Sequence, residues 1–219
     1  MTFDHTVDFL VVGSGGGGMT AALVAHDHGA RTLVVEKSQK FGGSTGMSGG
    51  ALWVPQNDHL ASAGVSDSRE EALTYIRQVT KGRTPEDRLA AYVDHAAEMV
   101  RYLEAKSRLR LAPCPTYPDY YPEYEGGKPG ARTIEPVPYS ARKLGRHVTE
   151  LQRSEQGLVL GRMGLTAVEA KTLVQFSFLS YVLMFWIMLR YWLDIRARLK
   201  GKADNRLTLG TSLVARLRH

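Results

Sequence analysis

Between residues 7 and 36 the chain runs apolar strand, glycine turn, small-residue helix, apolar strand, acid, and few folds accept that order. Val7–Val12 holds Phe9, Leu10, Val11 and Val12 and reads as a buried parallel strand. Gly13-Ser14-Gly15-Gly16-Gly17-Gly18 follows without a spacer. Met19–His28, with Ala21, Ala22, Leu23 and Ala25, reads as a helix closed by Gly29. Arg31–Glu36 reads as a second buried strand that ends in an acid. This is a β–α–β unit of about thirty residues.

Each position in the turn has a physical reason. Gly13 permits the tight turn, Gly15 lets backbone approach a pyrophosphate, and Gly18 lets helix and strand pack closely. The first amides of the helix, Gly16 and Gly17 among them, offer N–H groups and a partial positive charge to phosphates. Ser14 reads as a hydrogen-bond donor within the phosphate turn, not as a nucleophile. Glu36 suits the adenosine ribose hydroxyls and disfavours a 2′-phosphate, which argues against NADP. A second loop, Phe41–Gly50, follows at once. A simple NAD site has no need of it, whereas the extended FAD molecule does. Gly42, Gly43, Gly49 and Gly50 allow close backbone approach, and Ser44, Thr45 and Ser48 supply hydroxyls. The cofactor expected is FAD.

Further along, Ser68–Gly82 and Pro85–Leu103 read as helices, the second with Thr84 as cap and Pro85, Glu86 and Asp87 in its first turn. Ala112–Pro138, rich in Pro, Gly and Tyr, reads as a long ordered loop. Thr166–Leu199 reads as one long helix or two. The fold class expected is α/β: a Rossmann-like FAD-binding domain with a parallel sheet and helices, and the beginning of a mixed α+β substrate domain. The expected division is 1–140 for the FAD-binding part and 141–219 for a helical segment leading toward a cap domain.

The blocks Val11–Gly17, Val35-Glu36-Lys37, Phe41–Thr45 and Ser48–Pro55 resemble the fumarate reductase and succinate dehydrogenase flavoprotein family, and within it the 3-ketosteroid Δ1-dehydrogenase branch. Pro118-Asp119-Tyr120-Tyr121-Pro122-Glu123, Gly126–Pro136 and Asn205–Leu217 are similar to the same branch. The resemblance implies FAD held by the two glycine loops together with Glu36 and Lys37. It also implies a steroid-like ring ketone as substrate, an electron acceptor that reoxidises the flavin, and Tyr120 in the catalytic pocket. A phenol can relay a proton or face an enolate; without the resemblance, Tyr117, Tyr120, Tyr121 and Tyr124 read as packing residues. A fumarate-reductase-like enzyme acting on another activated alkene and a non-catalytic FAD-binding remnant are the alternatives. Members of the family are usually more than twice this long, so the chain reads as an N-terminal piece.

Charge is uneven. Residues 1–140 hold 14 Lys and Arg against 17 Asp and Glu, and residues 141–219 hold 14 against 5. So basic a tail suits an acidic part of the same molecule, an anionic membrane surface or nucleic acid; no nucleic-acid partner is expected. Leu173–Leu189 is close to the shortest run that spans a bilayer, and Gln175, Ser177 and Ser180 interrupt it. With the basic residues after it, the stretch 173–202 reads as a core helix or pocket wall, as a membrane-surface helix, or as a span. Met1–Asp8 lacks a basic cluster, so no secretory leader is expected. A cytoplasmic location, peripheral at the inner face of the membrane, fits these features. Cys114 is alone and reads as an ordinary unpaired cysteine. His26 and His28 lack partners for a metal, and no metal site is expected.

Overall fold

The computed structural model describes residues 4–153, 158–199 and 203–219. In chain order its strands are β1 (Phe9–Val12), β2 (Thr32–Val35), β3 (Leu52–Trp53), β4 (Leu111–Pro113), β5 (Thr133–Pro136), β6 (Tyr139–Ser140), β7 (Leu158–Val159), β8 (Met163–Gly164) and β9 (Arg206–Leu207). Its α-helices are α1 (Gly16–Asp27), α2 (Gly43–Met47), α3 (Arg69–Thr80), α4 (Glu86–Lys106), α5 (Ala167–Leu173), α6 (Phe178–Leu193), α7 (Ile195–Leu199) and α8 (Leu209–Arg218).

Two compact units result, and neither is a single stretch of chain. The first gathers 1–50, 106–109 and 137–219; the second gathers 51–105 and 110–136. The chain leaves the first unit after Gly50, touches it again at 106–109 and returns to it for good at Val137.

In the first unit, β1 and β2 pair in parallel with Phe9 opposite Thr32 and Val12 opposite Val35. The strands were expected to be buried, yet only Val11 of β1 is, and Val12 is 82% exposed. Among the described residues this sheet has two strands, so only α1 and its surroundings shield them. The core of the unit joins Met19, Phe41, Leu144, Leu151, Leu207 and Val214. Phe41 also bridges Leu151 in parallel. The second glycine loop is not all loop, because Gly43–Met47 winds into α2.

The stretch 166–199 is three helices. Thr166 caps α5 with Glu169, and Ser177 caps α6 with Ser180 in the same reciprocal box. Phe176 takes a positive φ of 50° between them, and Asp194 ends α6. A second small core packs Met163, Leu165, Ile187 and Tyr191. Another face of α6 points outward: Phe178, Leu179, Tyr181, Phe185, Trp186 and Trp192 are exposed. Among the described residues no helix is long and apolar enough to cross a membrane.

The second unit is an antiparallel sheet in the order β3–β5–β4 with α3 and α4. Ser68 caps α3 by accepting from the Glu71 amide. Ala72, Leu73, Leu89 and Val93 of α3 and α4 form its helical core. The expected loop Ala112–Pro138 contains β5, which is fully buried and pairs with both neighbours. Glu135 inside it and Arg132 just before it, both buried, break the apolar alternation by which a strand is read. Cys114 is completely buried here, and burial pushes its thiol up to about 12.

Candidate functional site

The phosphate turn begins where β1 ends. Gly13 takes a φ of +99° and donates its N–H to Val35 O, which ties the turn to the second strand. Gly15 is the N-cap of α1, and the first turn carries no side chain and no acid. A Cβ on Gly18 would lie 2.2 Å from the Gly13 carbonyl oxygen, so glycine is needed there for the helix to start against the turn. A Cβ on Gly17 would meet nothing within 4 Å.

The first amides of α1 set the chemistry. Gly16 N–H donates to Thr45 Oγ1 at 3.0 Å. The N–H groups of Gly17 and Gly18 have no acceptor among the described residues. Two free amides at a positive helix end, with bare backbone around them, fit a pyrophosphate.

Ser14 ties the turn to its neighbours. It is 3% exposed, and its hydroxyl donates to Glu36 Oε2 at 2.5 Å while accepting from Gly42 N at 3.0 Å. Its backbone N–H also donates to Glu36 Oε2, at 2.9 Å. The side chain ties the turn, the acid and the second loop together and has no donor left for a ligand. Glu36 Oε1 accepts from Ser38 N at 2.9 Å. These bonds, the Ser14 hydroxyl first, hold the Glu36 carboxyl down at about 2. It therefore stands ionised, an acceptor ready for ribose hydroxyls. Lys37 is exposed and makes no ion pair among the described residues.

The folded pKa of Glu36 lies below its ordinary 4.5, so the stability it contributes is complete above about pH 4.5 and is lost as pH falls toward 2. Glu36→Gln removes that dependence. The gap in urea midpoint between wild type and variant is expected to be widest above pH 4.5 and to close on acidification.

The two glycine loops converge. A Cβ on Gly43 would stand 3.7 Å from Gly15 Cα. Ser48, like Ser14, is spent internally: its hydroxyl donates to Thr45 O at 2.9 Å and accepts from Gly50 N at 3.0 Å. Ser44 and Gly49 remain exposed. Under this loop sits α8, whose role the sequence did not reveal. A Cβ on Gly210 would lie 1.9 Å from Thr45 O, Gly210 N donates to Ser48 O at 3.1 Å, and Thr211 Oγ1 donates to Gly46 O at 3.1 Å. The sequence offered the resemblance of Asn205–Leu217 to the branch, but nothing that placed Gly210 against Thr45. A cleft of about 460 Å³ adjoins the site, lined in part by Ser14, Glu36, Ser38 and Phe41.

The second unit has a cavity of about 380 Å³, lined mainly by Trp53, Tyr75, Ile76, Val79, Tyr117 and Tyr120. Tyr120 is 85% exposed, with its ring at the cavity rather than in a core. Tyr121 instead stacks on Tyr124 at 5.0 Å between ring centroids.

Comparison with known proteins agrees with this geometry. The family described as FAD binding domain matches residues 8–219. The 3-oxosteroid 1-dehydrogenase of Comamonas testosteroni is 39% identical over 98% of this chain and 38% of its own length. That of Mycobacterium tuberculosis (strain ATCC 25618 / H37Rv) is 46% identical over 66% of this chain and 26% of its own. The crystal structure of 3-ketosteroid Δ1-dehydrogenase from Sterolibacterium denitrificans in complex with 1,4-androstadiene-3,17-dione superposes with a TM-score of 0.90 at 42% identity, over 97% of this chain and 38% of that one. The chain thus spans less than two fifths of the length of the relatives it matches. With a turn built for a pyrophosphate and an acid held ready for a ribose, it belongs to the FAD-binding domain family.

Proposed function

We propose that this chain contributes the cofactor site and part of the substrate pocket of an FAD-dependent dehydrogenase that introduces a double bond beside the carbonyl of a 3-oxosteroid. The observation that carries the reading is the apolar cavity of the second unit, with Tyr120 at its edge. A fused-ring ketone needs an apolar cavity of about 300–1,000 Å³ with few polar groups, and this one offers mainly aromatic and aliphatic walls, with Tyr120 the most exposed of its three phenols. The activity of these relatives supports the same substrate class.

The reaction takes a proton from the carbon beside the carbonyl and a hydride from the next carbon, and bound FAD supplies the acceptor for that hydride. Gly17 and Gly18 would hold the pyrophosphate with their backbone N–H groups, and Glu36 would accept from the ribose. The walls at Trp53, Tyr75 and Val79 exclude water from the ring system. The Tyr120 hydroxyl meets the proton or the oxygen of the enolate. An electron acceptor must afterwards restore the flavin.

The test is anaerobic. The flavin-loaded chain is mixed with 4-androstene-3,17-dione, the C1–C2 saturated counterpart of 1,4-androstadiene-3,17-dione. Bleaching of the flavin band is the result expected. A chain that holds flavin and is not bleached would overturn the reading.

The exposed face of α6 supports a second contact, with the inner surface of the membrane of a cytoplasmic protein. Aromatic and aliphatic side chains lie outward there, with Arg190 and Arg196 nearby, and this is the composition of an interfacial helix. Lys200 and Lys202, the end of the basic flank, lie outside the described residues. Sedimentation with anionic vesicles, reduced by high salt, is the expected result; no sedimentation would remove the membrane from the account.

A further inference from the structure

We propose that Asp119 is a positioning residue that holds Tyr120 at the cavity. The proposal rests on the reading of Tyr120 as the phenol that meets the substrate. Asp119 is 3% exposed and immediately precedes it. Its carboxylate accepts from three fixed donors: Trp53 Nε1 at 2.7 Å, Lys128 N at 2.9 Å and Arg132 Nη1 at 2.8 Å. Its own N–H donates to Lys128 O at 3.0 Å, which closes the loop 119–128. On the other side of Tyr120, Tyr121 N–H donates to Tyr75 Oη at 3.3 Å. The backbone is thus pinned both before and after an 85% exposed ring.

The pins are themselves anchored. The Trp53 ring stacks on Tyr75 at 5.8 Å and on Tyr92 at 6.1 Å, and Tyr92 Oη donates to Trp53 O at 2.5 Å. The Arg132 guanidinium lies over both Trp53 and Tyr75. An exposed side chain in a Pro- and Gly-rich loop has no packing to fix it. A catalytic phenol needs its backbone held to within a fraction of an ångström, since a misplacement of about 1 Å costs about 100-fold in rate. The Asp119 carboxylate supplies that hold.

Asp119→Asn keeps the shape of the side chain but sets an amide N–H among three donors. In the flavin-loaded full chain it is expected to slow bleaching at saturating 4-androstene-3,17-dione about 100-fold, with the half-saturating steroid concentration unchanged. Tyr120→Phe gives the reference. Two residues that act through one another do not add, so Asp119→Asn introduced into Tyr120→Phe is expected to cost nothing further. Tyr75→Phe, which keeps the ring in the cavity wall but removes the hydroxyl that holds the Tyr121 amide, is expected to show a smaller loss that also vanishes beside Tyr120→Phe. Additive losses would overturn the proposal and leave Asp119 a general structural residue. Amide exchange reads the mount without any chemistry: it should quicken at Tyr120 and Tyr121 in Asp119→Asn while α3 and α4 keep their protection. Unchanged exchange there would overturn the mount, whereas a wild-type chain that steroid does not bleach would overturn only the function on which it rests.

Discussion

Arg132→Leu is expected to destabilise the second unit by about 3–5 kcal/mol, the range measured when one partner of a buried ion pair is removed. Arg132 is fully buried and has no contact with water. Its Nε and Nη2 bond both oxygens of Asp67, at 2.9 and 2.6 Å. Its Nη1 bonds Asp119 and the Gly126 carbonyl, both at 2.8 Å. The variant leaves two buried carboxylates facing each other's field with no cation and an orphaned carbonyl. An apolar core of the same volume could be equally stable, so the cost comes from removing one member and not from any large net worth of the network. Arg132→Lys is expected to recover little, because one ammonium cannot reach two carboxylates and a carbonyl in a planar fork. Urea unfolding followed by circular dichroism measures both. A loss under 1 kcal/mol for Arg132→Leu would show that the network is not an obligate part of the fold.

Gly18→Ala is expected to weaken flavin binding about 10- to 100-fold and to destabilise the first unit by about 1–3 kcal/mol together, the usual cost of overpacking. The new methyl would sit 2.2 Å from the Gly13 carbonyl oxygen and 3.1 Å from Val11 Cγ1, so helix and turn must separate. That motion misdirects the two free amides. Gly17→Ala supplies the contrast. Its methyl meets no protein atom within 4 Å, so the fold should keep its stability while flavin binding falls, because the methyl occupies the space through which a phosphate reaches the backbone. Flavin fluorescence titration beside thermal unfolding separates the two effects. Equal flavin binding in wild type and Gly17→Ala would place the pyrophosphate elsewhere.

The legible part of this chain was its local part. A strand, a glycine turn, a helix and an acid lie in order within thirty residues, and each step depends on near neighbours. The capping boxes at Thr166 and Ser177 follow the same local rule, although the apolar composition of 173–189 hid the break between the two helices. What escaped was set by distance. Asp67, Asp119 and Arg132 are unremarkable one by one and meet only through the sheet and α3. β5 was hidden because a charged residue, Glu135, stands inside it and another, Arg132, stands just before it. Ser14's place in the turn is a matter of sequence, but the direction of its hydroxyl depends on Glu36 and on Gly42, 28 residues away. Gly210 could not be read as part of the site at all, since its reason for being glycine is the Thr45 carbonyl.

Cys114 gives the second unit a clock. A thiol with no surface and a pKa pushed up to about 12 presents almost no thiolate to a soluble reagent. Labelling must wait until the β4 region opens, and its rate then counts openings of this unit while remaining blind to the other. In the regime where closing outruns labelling, each 1.4 kcal/mol removed from the unit quickens the reaction about tenfold. The chain thus carries, at the one position where chemistry is suppressed, its own tally of how often that unit comes apart.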